Sequence, residues 1–426
     1  MNALQIVFLV VLAAKTAASL ALDGLNRRES QRCAGSVPEA FRETVDLETY
    51  KKSVAYTLRK TDFGCIETLF GALISMLLVL AFFAPLHGWL AGTVLGLSPE
   101  ISGWARVWRE GVELAAVFAA ISLLDLPFDW FENFRIEAQF GFNKSSLALW
   151  ISDQIKGLAL GFVIELPLFW ALIAFYRTFP RTWWIWAQIF LLGVQLLMFV
   201  VYPKFILPLF NKLSPLPNGE LRDTLNALAE RCGFVAKKIE IIDGSKRSGH
   251  SNAYFTGFGK WRRIVLFDTL VAQLSTAEVS AVLAHEIGHS KRGHITKRLV
   301  AGTLIGFGVF AVLAWLLEQE AFFEAFGFEF SSGLMLVPAV LLFSQFAPLV
   351  MFWIAPLANH FSRKFEYEAD AFAREASGTP DTLISALRKL HEKNLGNLTP
   401  HPLYSAFFHS HPTLLERERA LRGGKN

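Results

Sequence analysis

The segment Ala284-His285-Glu286-Ile287-Gly288-His289 places two imidazoles four residues apart, with a carboxylate beside the first. On a helix, side chains at that spacing share one face, so both rings can reach a single ion. Glu286 then lies close enough to a water on that ion to take its proton. This His-Glu-x-x-His spacing is the one with which Zn²⁺ activates water for peptide hydrolysis, the glutamate serving as base. In a chain with 10 histidines, chance would supply the pattern only about 0.01 times.

Catalytic zinc takes three protein ligands and keeps a fourth position open, so another residue is required. Candidates outside the motif are His250, His294, Glu366, Glu368, Asp370, His391, His401, His409 and His411. The run Phe365-Glu366-Tyr367-Glu368-Ala369-Asp370-Ala371-Phe372 reads as a helix with Glu366 and Asp370 on one face. One of that pair can bind the metal while the other holds a ligating imidazole. Taken alone, a solvated acidic helix face accounts for the same run more simply.

These side chains need elements to position them. Ser275 with Glu278 three residues on is a capping box that starts the motif's helix. Val279, Val282, Leu283 and Ile287 give that helix an apolar stripe. Upstream, 218–232 has the spacing of an amphipathic helix, 238–242 and 262–267 read as short strands, and 251–257 reads as a strand between them. The final Gly-Gly-Lys-Asn reads as a frayed end.

Composition supplies the wider frame. Hydrophobic residues make up 53% of the 426 and charged residues 18%, with 39 Phe and 12 Trp. Soluble domains are about one quarter charged, so the chain belongs in a membrane. Disorder and collagen are excluded. Three cysteines (Cys33, Cys65, Cys232) without a CxxC pair make no disulfide framework. A net charge of +4 gives no footing for nucleic acid.

Seven stretches approach or exceed the roughly 20 apolar residues that cross a bilayer: 4–22, 66–90, 112–126, 157–176, 183–201, 299–317 and 334–357. The first has no basic residue ahead of it and reads as a retained span rather than a signal peptide. Lys15 within it snorkels or faces other helices, and Glu165 in the fourth reads as an interhelical contact. Seven crossings sort the polar segments onto two faces. One face receives the N-terminus, 92–110, 177–182 and 318–333, with only Arg106, Arg109, Arg177 and Arg181 of the 41 basic residues. The positive-inside rule puts the other, basic face in the cytoplasm. That face carries both 203–298 and 358–426, so these stretches can form one discontinuous domain. The expected division is a five-span membrane region (1–202), a first metalloprotease part (203–298), two spans (299–357) and a second part (358–426).

Four motifs follow in order: Asn252-Ala253-Tyr254-Phe255, His285-Glu286-xx-His289, Ser362-Arg363-xx-Glu366-xxx-Asp370-Ala371-Phe372-Ala373 and Ser410-His411-Pro412-xxxx-Arg417. Together they resemble the type I CAAX prenyl endopeptidases, integral-membrane zinc proteases of the endoplasmic reticulum with bacterial counterparts. The stretch from Leu126-Pro127-Phe128 through Phe140-Gly141-Phe142-Asn143-Lys144 is similar to the segment after that family's third span. The resemblance covers nearly the whole chain. It implies a predominantly α fold, a seven-span bundle enclosing a chamber, with a metalloprotease domain containing a small β-sheet at the cytoplasmic end.

For the site, the resemblance implies one Zn²⁺ per chain held by His285, His289 and Glu366, with Glu286 as catalytic base. His411 would stabilise the oxyanion and Asp370 would support a histidine ligand. Asn252, Ala253 and Tyr254 would form an edge strand that binds substrate, with Arg417 beside them at the site. Glu368 is left on the surface, and His294 and His409 receive no role. The expected partners are a peptide or prenylated-protein substrate and the lipid bilayer, for a monomer in a bacterial inner membrane or the endoplasmic reticulum.

Two other readings stay open. A broader quality-control zinc protease of the membrane shares the ligand pattern, although seven spans and the Gly-Phe-Asn-Lys segment stand against it. From a different class, a transporter could carry a structural zinc, but such a site is closed by four protein ligands and has no use for Glu286. Ser290-Lys291-Arg292-Gly293-His294 follows the motif at once, which sets it at the membrane interface rather than inside a span.

Overall fold

The computed structural model describes residues 1–97, 101–234, 238–256 and 263–423. Among these, seven helices are long and apolar enough to cross a membrane. Five come first: α1 (Ala3–Cys33), α2 (Leu47–Val94), α3 (Gly103–Phe140), α4 (Leu147–Thr178) and α5 (Trp183–Phe210). A mixed region follows, with β1 (Leu213–Pro215), α6 (Glu220–Arg231), β2 (Lys238–Ile242), β3 (Ala253–Thr256), β4 (Arg263–Phe267) and α7 (Thr276–Lys291). The last two spans are α8 (His294–Leu316) and α9 (Leu336–Ser377). The chain closes with α10 (Asp381–Lys393), α11 (Pro402–Phe408) and α12 (Leu414–Leu421).

Every one of these helices is longer than its apolar run. α1 continues about three turns past its apolar stretch, because its polar end is held from the far end of the chain. The Asn397 side chain donates to Asn26 Oδ1 and Ser30 Oγ, and the His401 backbone N–H donates to Asn26 Oδ1. Asn26 and Ser30 are buried as a result. Lys15 lies over the Phe352 ring of α9, so it faces a neighbouring helix. The third span bends at Leu124–Asp125, after which Pro127 sits in the first turn of its continuation.

The spans do not pack along their full length. One apolar cluster gathers Phe8, Phe83, Leu114, Ile173, Trp183 and Phe323 at the end remote from α7. α9 has no buried side chain between Leu349 and Glu366, and α4 buries only Ile173. Helices joined at one end and with few fully buried side chains through their middles suit a bundle built around a chamber.

A second apolar cluster lies beneath the motif helix. It combines Leu225, Ile264, Val279 and Ile287 from before α8 with Ala373, Leu383, Ile384 and Leu421 from after it. The polar stretches on either side of the last two spans therefore share one core. The sheet runs β1-β2-β4-β3, with β2 and β4 parallel and the two outer pairs antiparallel. β3, which lies between β2 and β4 in sequence, is thus an edge in space. The expected strand ends at Arg262 and Gly257, and the frayed end from Gly424 onward, fall outside the described residues.

Candidate metal centre

α7 starts where the capping box requires. The Ser275 backbone N–H donates to Glu278 Oε2 at 2.8 Å, and the Ser275 hydroxyl accepts from the Glu278 N–H. α10 closes over the same carboxylate: Ser385 Oγ donates to Oε1 at 2.6 Å and Lys389 Nζ to Oε2 at 2.8 Å. Burial alone would raise this carboxyl, but the donors outweigh it and hold Glu278 at about 2.

One face of α7 then meets α9. At Gly288 the helices touch closely: an added Cβ would lie 3.0 Å from both the Cα and the carbonyl oxygen of Ala369. One turn earlier on α9, Glu366 reaches the two histidines. Glu366 Oε2 is 3.4 Å from His285 Nε2 and Oε1 is 3.4 Å from His289 Nε2, while the two Nε2 atoms are 3.1 Å apart. Among the described residues this is the group whose ligand atoms converge, all within 4.8 Å of one another. Glu366 Oε2 is buried without an aligned hydrogen bond.

The outer nitrogens explain why these atoms fit a cation. His285 Nδ1 lies 2.8 Å from Asp370 Oδ1 and 3.3 Å from Arg417 Nη2, so a proton on Nδ1 has the carboxylate as its acceptor. Asp370 is in turn gripped by Arg417, whose Nε and Nη2 donate at 2.9 and 2.6 Å. His289 Nδ1 lies 2.9 Å from His294 Nδ1. With protons on the outer nitrogens, both Nε2 lone pairs and a carboxylate point at one space. Two nitrogens and one carboxylate oxygen make the donor set of a catalytic metal site with a position left open. Burial disfavours a charged His285, yet hydrogen bonds to Asp370 and Glu366 push it up to about 9, a measure of how strongly the pocket favours positive charge. Glu286, beside His285, is raised from the usual carboxylate range by burial, against the pull of His285 and His289.

The remaining expected residues are distributed as follows. His411 brings Nδ1 to 2.8 Å from Glu366 Oε2 with its side chain 64% exposed, so it stands at the open side of the site. A cavity of about 410 Å³ continues from it, lined by His391, Asn394, His409 and Arg417 among others. Arg417 lines this cavity and also reaches behind the ligand His285, donating to Asp370 and lying 3.3 Å from His285 Nδ1. Tyr254 turns its side chain into an apolar cluster with Leu207, Ile242 and Val265, and burial pushes its hydroxyl up to about 12. The Tyr254 ring is partly buried there. Asn252 is exposed, and its carbonyl accepts from the Phe267 N–H.

His409 lines the cavity beside His411, and three further candidates are engaged elsewhere. His250 Nε2 meets Glu137 Oε2 at 3.0 Å, His391 Nε2 meets the Asn397 carbonyl at 3.2 Å, and His401 accepts from the Leu403 N–H. Glu368, expected on the surface, is partly exposed and lies 3.0 Å from His294 Nε2. His294 and Glu368 escaped sequence reasoning because they lie 74 positions apart and meet only through the packing of α8 on α9.

The Gly-Phe-Asn-Lys segment proves to be a brace for β3. Asn143 pairs with Ser248 in an antiparallel bridge, the Gly249 N–H donates to the Phe142 carbonyl, and the Lys144 N–H donates to the Arg247 carbonyl. The Phe142 ring stacks on His250 at 3.9 Å. From the other side, Asn394 accepts from the Ser251 N–H and donates to its carbonyl. The chain leading into the edge strand is thereby fixed to the end of a membrane helix.

Comparison with known proteins agrees with this geometry. Residues 26–212 match the CAAX prenyl protease N-terminal model of five membrane helices, and residues 215–425 match peptidase family M48. The chain is similar to CAAX prenyl protease 1 of Saccharomyces cerevisiae, with 36% identity over 415 residues, covering 93% of this chain and 91% of that protein. It is 33% identical over 441 residues to the Homo sapiens homolog, covering 93% and 90%. The crystal structure of S. mikatae Ste24p superposes with a TM-score of 0.90 at 34% identity, over 99% of each chain. The chain therefore belongs to the CAAX prenyl protease 1 family within peptidase family M48, as a multi-pass membrane metallopeptidase.

Proposed function

We propose that this protein is a zinc endopeptidase acting at the cytoplasmic face of its membrane on CAAX-type prenylated protein C-termini. The observation that carries the reading is the convergence of His285, His289 and Glu366 within 4.8 Å, with Glu286 on the adjoining turn. All three ligands come from one chain, so the site is complete in a monomer. The concentration of basic residues on the same face supports the cytoplasmic side, in a bacterial inner membrane or the endoplasmic reticulum.

Zn²⁺ held by these residues supplies water of lowered pKa and a Lewis acid for the scissile carbonyl. β3 offers an open backbone edge with which an extended peptide can pair, and the cavity beyond His411 accepts side chains next to the cleaved bond. Glu286 takes the proton of the attacking water and returns it to the leaving amine. His411, exposed at the open side, donates to the oxygen that becomes negative. Asp370 and Arg417 hold His285 in the tautomer that leaves Nε2 free.

The test pairs metal content with turnover. Wild type and Glu286→Gln are purified in detergent, zinc is quantified, and each is given a farnesylated and an unmodified CAAX peptide. One zinc per chain in both proteins, with cleavage by wild type alone and preference for the farnesylated peptide, is the expected result. Zinc-loaded Glu286→Gln with wild-type turnover would remove Glu286 from its role. Indifference to the prenyl group would replace the substrate reading with a broader peptidase.

A further inference from the structure

We infer that His294 and Glu368 are positioning residues for the metal ligand His289, forming a relay that orients its ring as Asp370 orients that of His285. The inference rests on the zinc reading above and concerns residues that the His-Glu-x-x-His motif does not contain.

His294 is the first residue of α8 and is only 1% exposed. Gly293 before it sits at φ 68°, in the left-handed region that glycine adopts without strain. That residue breaks the helix between α7 and α8, which turns His294 back towards His289. The His294 ring stacks flat on Phe365, with centroids 4.3 Å apart and planes 12° from parallel, so its plane is fixed. In that plane Nδ1 faces His289 Nδ1 at 2.9 Å and Nε2 faces Glu368 Oε2 at 3.0 Å.

The protons can be placed by counting. Two ring nitrogens at hydrogen-bond distance need one donor and one acceptor. His289 must keep Nε2 unprotonated to bind the metal, so its proton is on Nδ1 and is donated to His294 Nδ1. A neutral His294 then carries its own proton on Nε2 and donates it to the Glu368 carboxylate. Every donor has one acceptor and no proton is left over. Both nitrogens of His294 are occupied, which leaves it none with which to bind the metal itself.

The two ligand histidines are thus supported unequally. His285 donates straight to a buried carboxylate locked by Arg417, whereas His289 reaches its carboxylate through a neutral ring. Glu368 is partly exposed and has Lys297 Nζ 3.8 Å away. α9 supplies the third ligand and the terminal carboxylate of both supports, while α8 supplies the intermediate ring. Loss of an outer partner of this kind lowers metal affinity by about 10- to 100-fold.

The experiment uses the full chain in detergent with three variants. His294→Phe keeps the stack on Phe365 but removes the acceptor. His294→Asn can place an amide oxygen where Nδ1 stood. Glu368→Gln removes the terminal charge at a partly exposed position. Two quantities are read: zinc affinity by chelator competition, and the visible absorption of the Co²⁺-loaded protein, which reports ligand geometry. The expected result is zinc affinity about 10- to 100-fold weaker with an altered Co²⁺ spectrum for His294→Phe. Partial recovery of both in His294→Asn and an intermediate loss in Glu368→Gln complete the pattern. Wild-type affinity and spectrum in His294→Phe, or no recovery in His294→Asn, would overturn the relay. Should His294→Phe fail to fold, Glu368→Gln decides, and an unchanged affinity and spectrum there overturns it equally. Wild type that takes up no zinc would sink the zinc reading itself, whereas zinc-binding wild type with unaffected variants sinks the relay alone.

Discussion

Gly288 and Ala369 meet backbone to backbone: a methyl group on Gly288 would stand 3.0 Å from Ala369 Cα and 3.1 Å from Phe372 Cβ. This approach of α7 to α9 brings Glu366, one turn before Ala369, to both ligand histidines. Gly288→Ala is expected to push α9 outward by a few tenths of an ångström. Overpacking of this kind costs about 1–3 kcal/mol, so Tm should fall. Zinc affinity, measured by chelator competition, should fall with it, and an unchanged affinity would mean that the two helices have slack at this point.

Asp370 and Arg417 form a buried pair behind His285. Asp370→Asn removes the charge that fixes the imidazole, and a loss of about 10- to 100-fold in zinc affinity is expected. Arg417→Met leaves the Asp370 carboxylate buried without its partner, which costs about 3–5 kcal/mol of stability. Because the two residues act through one contact, the double variant should lose less stability than the sum of the singles. Strict additivity in thermal unfolding would show that the contact is not shared.

His411 stands at the open side of the site, and its removal should separate chemistry from metal binding. In His411→Ala the zinc content and Tm are expected to match wild type. The kcat should fall by about 10²–10³, the usual cost of one oxyanion donor, with KM changed only a few-fold. Loss of zinc along with activity would instead make His411 a support of Glu366.

Glu278 links the start of α7 to α10, and it makes stability depend on pH. Its folded value of about 2 lies below the ordinary 4.5, so the folded state binds this proton less readily than the unfolded chain. The stabilisation is therefore fully present above about pH 4.5 and is lost as pH falls through 2. Its size is roughly 3 kcal/mol. The difference in Tm between wild type and Glu278→Gln should shrink steadily as pH is lowered over that range. A difference independent of pH would remove the charge from this role.

Local signals in the sequence translate faithfully into structure. The Ser275–Glu278 capping box starts α7 as read, and Lys238–Ile242 forms a strand with the expected ends. Five of the seven apolar runs lie within a membrane helix, and the runs 299–317 and 334–357 overrun theirs by one and two residues. Helix length was not legible, because the continuation of α1 depends on Asn397 and His401 reaching Asn26 from the other end of the chain. β1 is three residues long and ends in Pro215, too short for alternation to register, and it exists only through pairing with β2. Glu366 and Asp370 stood out by spacing, but nothing local distinguished them from a solvated acidic face. Arg417 was assigned to the site without its partner, since only the fold brings it to Asp370. For Tyr254, alternation on an edge strand decides that the ring faces the core.

The motif histidines precede α8 and Glu366 lies towards the C-terminal end of α9, so two membrane crossings separate them in the chain. A ribosome finishes the His-Glu-x-x-His helix well before it makes the third ligand, so a nascent chain carries two imidazoles and a base but no complete site. Completion also demands that both crossings be inserted. If only one enters the bilayer, Glu366 emerges on the opposite side from His285 and His289, and the copy cannot assemble a metal centre. Correct insertion is thus a condition of catalytic competence, and a mis-threaded copy of this protease is inert by construction.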